Sequence, residues 1–184
     1  FRAAGGGAQG RVRLAAGAVS ASALLAVGLP AFRDAHPGLE LEIVTDPRLS
    51  AIGQAPRIGN PLKDVDVALR LARPTQGDML MRKVGDMAYG LYASPAYLEA
   101  RGRPGQMQDI AGHDLIGFPR SETPLGPVWW FSRAEKSARI ALRSSSVEAR
   151  ATAARANLGL AALPCILGDV DSRLVRVFGP DVLG

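Results

Sequence analysis

Serines and arginines at a few junctions of this chain have the chemistry to bind an anion. Ser20 opens an apolar stretch with helical spacing, and Ser144–Ser146 precede an alanine-rich one. A serine at the start of a helix offers a hydroxyl beside backbone N–H groups that carry partial positive charge. Arg48 and Arg70 come at or just after segments patterned as strands, and a guanidinium binds a carboxylate through two parallel hydrogen bonds. These junctions predict a site for a small anionic ligand.

The residues that usually carry catalysis form no recognisable constellation. The chain contains no GxSxG, P-loop, GxGxxG or HExxH motif. His36 precedes Pro37 at a predicted helix end and His113 follows Gly112 in a predicted turn, so both are interpreted as surface or capping residues. Cys165 is the only cysteine, which excludes an intrachain disulfide, and it is interpreted as a small buried hydrophobe. We therefore expect no catalytic residue, no metal site and no cofactor.

Composition favours a folded domain without a nucleic-acid face. The 184 residues are 47% hydrophobic and 21% charged, which fits one medium domain or two small lobes. The net charge is +5, from 22 basic and 17 acidic residues, but the arginines are scattered and aromatics make up only 5%. No apolar run approaches the ~18 residues of a membrane span, and the start at Phe1 lacks a signal peptide. The chain is interpreted as a fragment of a cytoplasmic protein.

The elements that must position the first serine and the arginines read as alternating strands and helices. An apolar helix with Ser20 and Ser22 as candidate N-caps should bend at Gly28 and Pro30. A second helix is expected near the start of Arg48–Asp64. Alternation of strands and helices is typical of a parallel sheet with crossover helices. The predicted strands of this part are Arg11–Leu14, Leu39–Thr45 and Val65–Leu71.

The second part of the chain mixes capped helices with short strands. Ser94–Gly102 has a serine cap and a glycine stop, and Ser145–Gly159 has a capping box formed by Ser145 and Glu148. Trp129 and Trp130 are adjacent on a predicted strand, so one should lie in the core and the other outside it. The predicted strands here are Asp114–Phe118, Val128–Ser132, Ala138–Ser144, Leu160–Pro164 and Arg173–Val177.

Five stretches in order resemble the effector-binding domain of LysR-type transcriptional regulators. They are GRVRLAAGAVSASALLAVGLPAFRDAHPGLELEI (10–43), DVDVALRLARP (64–74), YASPAYLEARGRP (92–104), DIAGHDLIGF (109–118) and ANLGLAALP (156–164). No single stretch is specific, but the order and spacing over most of the chain are.

The resemblance implies an α/β fold of two Rossmann-like lobes around a cleft, as in type 2 periplasmic binding proteins. Residues 1–10 would be a linker, 11–88 regulatory lobe I and 89–184 regulatory lobe II. The family's return segment to lobe I, a final strand and helix, is expected to be missing. The stretch Gly53–Leu62 departs from the uninterrupted helix that is usual there. The family's helix-turn-helix, which contacts DNA, is also expected to lie outside this chain.

The implied function is that of a ligand-sensing regulatory domain. A small, anionic effector would bind between the lobes, and the protein, a bacterial homodimer or tetramer, would contact DNA only through the helix-turn-helix. A solute-binding protein of a transport system and a small enzyme on the same fold are the alternatives. Each site residue also has an ordinary interpretation: Ser20 and Ser145 as caps only, Arg48 as a solvated charge, and Arg70 as a partner of Asp66 or Asp46. The predicted effector contacts are Val19, Ser20, Thr45, Arg48, Arg70, Leu71, Ser144, Ser145 and Ser146.

Overall fold

The chain folds into two compact units, residues 1–82 and residues 83–184. A computed structural model describes residues 8–45, 65–71, 80–120 and 128–183. Within these ranges, no helix combines the length and the apolarity that crossing a bilayer requires. The helix expected in Arg48–Asp64 lies outside the described residues.

The first unit contains a parallel three-stranded sheet. Its strands are β1 (Gly10–Ala16), β2 (Leu39–Thr45) and β3 (Val67–Leu69), in the order β2-β1-β3. Both β2 and β3 run parallel to β1. On the β1–β2 pair, Arg13 lies beside Glu42, with 3.1 Å between Nε and Oε1. The predicted parallel sheet is confirmed for these three strands.

Two helices connect β1 to β2. The first, α1, spans Ala18–Val27, and the second, α2, spans Leu29–Ala35. They separate at Gly28, with a proline in the first turn of α2, as the sequence predicts. The prediction that Ser20 and Ser22 cap the helix is wrong. Because the Ala21 N–H donates to the carbonyl of Gly17 at 2.9 Å, the helix already begins at Ala18 and both serines lie inside it.

The second unit contains a mixed five-stranded sheet. Its strands are β4 (Tyr89–Ala93), β5 (Asp114–Gly117), β6 (Arg139–Arg143), β7 (Leu160–Pro164) and β8 (Val175–Phe178). They lie in the order β6-β5-β7-β4-β8, with β7 in the centre. β5 runs parallel to its neighbours β6 and β7, whereas β4 is antiparallel to β7 and β8. This sheet belongs to the second α/β lobe that the resemblance implies.

Both faces of this sheet are covered, and its inner strands β4, β5 and β7 are buried at every position. On β7, Leu160 and Ala162 pack on one face, and Ala161 and Leu163 pack on the other. An unbroken apolar run is typical of a strand buried on both faces. Gly159, immediately before β7, has a φ of +156°, and a Cβ there would collide with the carbonyl oxygen of Asp114. The entry to β7 therefore requires glycine.

The helices of the second unit are short. They are α3 (Pro95–Arg101), a 3-10 helix (Met107–Gly112), α4 (Phe131–Ala134), α5 (Val147–Arg155), α6 (Cys165–Gly168) and α7 (Pro180–Leu183). Ser94 caps α3, accepting the Tyr97 N–H at 3.1 Å, and Gly102 ends it with a φ of 80°, as the sequence predicts. Among the described helices of this unit, α5 is the longest, and it occupies the centre of the stretch predicted as a helix.

The predicted strand Val128–Ser132 is wrong. This segment forms a turn that leads into α4, because two successive aromatic side chains, Trp130 and Phe131, both enter the core. An extended strand would have sent them to opposite faces. Trp130 is 3% exposed and Trp129 is 48% exposed, so the predicted division of the tryptophan pair holds although the local structure differs.

Candidate functional site

Five of the predicted contact residues follow the strands of the first unit at one edge of its sheet. In the register of the parallel strands, Ala16 is level with both Thr45 and Leu69. Val19 and Ser20 lie in the first turn of α1, three and four residues beyond β1, while Arg70 and Leu71 follow β3 directly. The carboxyl edge of an open α/β sheet is where such folds bind ligands. Arg48, the sixth predicted contact in this part of the chain, lies outside the described residues.

Two buried polar atoms at this edge have no hydrogen-bond partner among the described residues. They are Ser20 Oγ, on a residue that is 2% exposed, and Arg70 Nε. The ordinary interpretation of Arg70 was an ion pair with Asp66 or Asp46. Asp66 Oδ2 instead accepts the backbone N–H of Arg13 at 2.8 Å, and Asp46 lies outside the described residues. Buried polar groups in folded proteins are almost always paired, so two buried polar atoms without a described partner at one edge suggest a place where a ligand binds.

The start of α1 adds backbone donors to the same edge. The first N–H bonded within the helix belongs to Ala21, so those of Ala18, Val19 and Ser20 point out of the helix start. Such groups, with the helix dipole behind them, favour negative charge. The edge thus combines helix-start N–H groups, a hydroxyl and a guanidinium, a set suited to a carboxylate or another oxyanion.

In the second unit, Ser144–Ser146 form the turn between β6 and α5. Ser144 donates its N–H to the carbonyl of Gly117 at 3.0 Å, which extends the β5–β6 pairing by one residue. Its hydroxyl oxygen accepts the Ser146 N–H at 3.2 Å. The turn therefore lies at the carboxyl edge of this sheet, as predicted.

The cap of α5 is Ser146 rather than Ser145. Ser146 Oγ accepts the Ala149 N–H at 3.2 Å, so the predicted capping box of Ser145 and Glu148 is wrong. Arg155 Nη1 instead donates to Glu148 Oε1 at 2.7 Å, and this ion pair lowers the pKa of Glu148. Ser145 stays exposed, with its hydroxyl outside the capping bonds. Ser144 belongs to the sheet pairing, as predicted, but the cap falls one residue later than predicted.

Arg150 was not identified from the sequence, although it lies directly under this turn. It is 4% exposed, its Nη1 donates to the carbonyl of Ser144 at 2.7 Å, and its guanidinium lies 4.3 Å from the ring centroid of Phe118. Its position in the sequence could have indicated this contact. Arg150 lies four residues after Ser146, so in a helix the two residues share the face that meets the Ser144–Ser146 segment.

A second polar cluster lies at the opposite, amino edge of this sheet. His113 is 7% exposed, so it is not a surface residue, but it is the C-cap of the 3-10 helix, which agrees with the capping alternative. Its Nδ1 lies 3.3 Å from Tyr97 Oη. Burial and the charge of Arg101 lower the pKa of His113. Tyr97 Oη also accepts the Asp114 N–H at 3.0 Å, and a hydrogen bond from Arg139 lowers the pKa of Asp114. These bonds join α3, the 3-10 helix and β5, so the cluster is structural.

Cys165 begins α6 and is half-buried rather than fully buried. Its N–H donates to the carbonyl of Ala88 at 2.9 Å. Tyr92, directly beneath α6, has its pKa raised by burial and by hydrogen bonds to Cys165 and Asp169. The interpretation of Cys165 as a small packing residue agrees with these contacts, apart from its partial exposure.

Comparison with known proteins identifies the fold and the relatives. The family model of the LysR substrate binding domain matches residues 5–183. An uncharacterised HTH-type transcriptional regulator of Haemophilus influenzae is 28% identical over 145 residues, which cover 76% of this chain and 46% of that protein. The HTH-type transcriptional regulator CrgA of Neisseria meningitidis is 32% identical over 71 residues, covering 39% of this chain and 24% of that protein. The chain thus spans less than half the length of these relatives.

Solved structures with the same fold include regulatory domains of this kind. The regulatory domain of CrgA superposes with a TM-score of 0.67 at 22% identity, covering 92% of this chain and 81% of that one. Full-length AphB of Vibrio cholerae superposes with a TM-score of 0.62 at 23% identity, covering 93% of this chain and 57% of that one. The predicted fold is confirmed. The curated relatives are transcriptional regulators, so the alternative of a transport solute-binding protein is not supported. This chain belongs to the LysR substrate-binding-domain family.

Proposed function

We propose that this domain binds a small anionic effector at the carboxyl edges of its two sheets and catalyses no reaction. The contacts in the first unit are Val19, Ser20, Thr45, Arg48, Arg70 and Leu71, and those in the second are Ser144, Ser145 and Ser146. The whole protein then binds DNA through a helix-turn-helix outside this chain, in the cytoplasm where DNA lies. Effector binding changes the balance between two arrangements of the regulator.

The proposal rests on Ser20 Oγ and Arg70 Nε, which are buried and have no hydrogen-bond partner in the part of the chain that the structure describes. Leaving a buried polar atom unpaired costs about 1–3 kcal/mol. A ligand oxygen that accepts from both groups would remove that cost, and the free energy recovered would add to the affinity for an oxyanion. A guanidinium and helix-start N–H groups donate only, which selects an acceptor, preferably a charged one.

Calorimetry with small anions tests this proposal. Inorganic phosphate, sulfate and a panel of mono- and dicarboxylates are titrated into the chain at constant ionic strength. For the tightest binder, Ser20→Ala and Arg70→Lys should each weaken binding about ten- to a hundredfold, because each removes or misaligns one hydrogen bond to a charged group.

Arg11→Lys is the matched control, because Arg11 lies at the amino end of β1 and pairs with Glu42 at 3.5 Å. It should bind like the parent. Binding that is unchanged in folded Ser20→Ala and Arg70→Lys would move the effector away from this edge.

We also propose that the domain forms a homodimer, or a tetramer built from such dimers, through α1, α2 and β2. β2 is an edge strand of the first sheet, and α2 has no buried residue. Between Ala18 and Val27, α1 carries no charged side chain, yet its Leu25 is 44% exposed. We take this uncharged helix, α2 and the edge strand β2 as the interface, because two copies could pair the same surfaces about a two-fold axis.

Sedimentation at micromolar concentration tests the assembly. Leu25→Asp should shift the parent's dimer toward a 19.3 kDa species. Val182→Asp is the control, since Val182 is 49% exposed but lies on α7 of the second unit. A parent that sediments only as a monomer would contradict the dimer.

A further inference from the structure

We infer that Arg150 is a positioning residue that holds the Ser144–Ser146 turn in its ligand-binding shape. The inference rests on the proposed function, because the shape of the turn matters only if the turn contacts the effector. Arg150 is not among the effector contacts predicted from the sequence.

Arg150 contacts the ends of both strands that lie beneath the turn, β5 and β6. Its Nη1 donates to the carbonyl of Ser144, the residue that ends the β6 pairing, at 2.7 Å. Its guanidinium lies 4.3 Å from the ring centroid of Phe118, the residue after β5. A planar cation satisfies a carbonyl at its edge and an aromatic ring at its face, which an ammonium on a flexible stem does less well.

The ring of Phe118, on which the Arg150 guanidinium lies, is itself held in place by its neighbours. Phe131 packs against it edge to face, with ring centroids 5.4 Å apart. Arg143 Nη1 donates to the carbonyl of Phe118 at 2.8 Å and pairs with Glu135 at 2.8 Å. The Arg150 guanidinium therefore rests on a ring that is held from its side and through its backbone.

The turn passes this constraint on to the start of α5. The Ser144 hydroxyl accepts the Ser146 N–H, and the Ser146 hydroxyl accepts the Ala149 N–H. The Ser144 carbonyl and hydroxyl belong to one residue. Holding the carbonyl therefore restricts the hydroxyl, which is the first acceptor in this chain of two hydrogen bonds. The chain determines where the N–H groups of Val147 and Glu148, which precede the first intrahelical bond, are aimed.

Amide hydrogen exchange on the chain without effector tests the positioning role. Arg150→Gln should speed exchange at Ser144, Ser146 and Ala149 about ten- to a hundredfold, the loss expected for one hydrogen bond to a charged group. Arg150→Lys should give an intermediate increase. Exchange at Leu91, in the middle of β4, should stay at the parent's rate, whereas a residue that only filled the core would speed every amide of the second unit alike.

Arg139→Gln is the matched control, because Arg139 belongs to the same strand β6 but pairs with Asp114 at the opposite edge. It should leave the turn's exchange unchanged. Uniform acceleration in Arg150→Gln, or none at the turn, would overturn the inference.

A second arm uses inorganic phosphate and the amide shifts of Ser145, Ser146 and Val147. The parent and Arg139→Gln should titrate alike, and Arg150→Gln should need at least about ten times more phosphate. Equal titration by Arg150→Gln and the parent would also overturn the inference. A parent that shows no shift would count against the proposed anion site itself, and the exchange arm would still decide the role of Arg150.

Discussion

The junction of Tyr97, His113 and Asp114 gives the sharpest test of the energetics in the second unit. Tyr97 is 4% exposed, and its hydroxyl oxygen accepts the Asp114 N–H at 3.0 Å and lies 3.3 Å from His113 Nδ1. Tyr97→Phe keeps the ring and removes only the oxygen. Both partners lie in buried residues, so water cannot easily replace the hydroxyl.

The expected loss of stability follows from these two contacts. An orphaned buried donor or acceptor costs about 1–3 kcal/mol. The Asp114 contact has normal length, whereas the His113 contact is long, so it contributes toward the lower end. Tyr97→Phe should therefore lower the free energy of unfolding by about 2–4 kcal/mol.

Urea unfolding at pH 7 measures this loss, with Tyr92→Phe as the comparison. Tyr92 is fully buried, but its hydroxyl donates at 2.7 Å to Asp169, a carboxylate on the surface that water can reach. Tyr92→Phe should cost only about 1 kcal/mol. A Tyr97→Phe protein within about 0.5 kcal/mol of the parent would refute the assignment of both bonds.

Two further predictions concern the amino edge of the five-stranded sheet, where His113 and Asp114 lie. Burial holds the pKa of His113 below its usual 6.5, so the folded state favours the neutral ring; stability should be fully present above that value and fall as the pH drops through it. Thermal melts at pH 7 and pH 5 measure this, and His113→Gln should flatten the difference if the sign is right. Gly159→Ala should cost about 2–4 kcal/mol, because the new methyl meets the Asp114 carbonyl. Gly112→Ala, where the space is open, should change the urea midpoint little, and equal effects of the two alanines would contradict the collision.

The sequence predicts most of the fold where side-chain period and burial agree. β2 spans Leu39–Thr45 and β7 spans Leu160–Pro164, each with the predicted bounds. The alternation in β2 and the unbroken apolar run in β7 are direct consequences of which faces are covered. The cap and stop of α3 were also predictable, since Ser94 and Gly102 form local contacts within a few residues.

Predictions failed where distant contacts override local preference. Val128–Ser132 has the composition of a strand, but the aromatic core of the second unit takes up both Trp130 and Phe131. The cap of α5 lies at Ser146 instead of Ser145, because the hydroxyl of Ser146 accepts the Ala149 N–H. Helix and strand periods give no information on such a shift of one residue.

The candidate site divides in the same way. Strand ends predict which residues reach the carboxyl edge, so Ser20, Arg70 and the Ser144–Ser146 turn were found. The burial of Arg150 under that turn depends on Phe118, which lies 32 positions earlier in the chain, and no local pattern encodes that contact. The burial of His113 likewise depends on Tyr97.

Anion binding at the carboxyl edge of the first unit, through Ser20 and Arg70, can be followed residue by residue in solution. The Arg70 Nε–H and Ser20 amide resonances of the ¹⁵N-labelled chain are recorded while sulfate is added at constant ionic strength. Both resonances should shift together and saturate at one sulfate concentration, because both groups would donate to the same anion. Shifts that grow without saturation, or that appear at the exposed Arg11 and Arg33 while Ser20 and Arg70 stay fixed, would rule out a site at this edge.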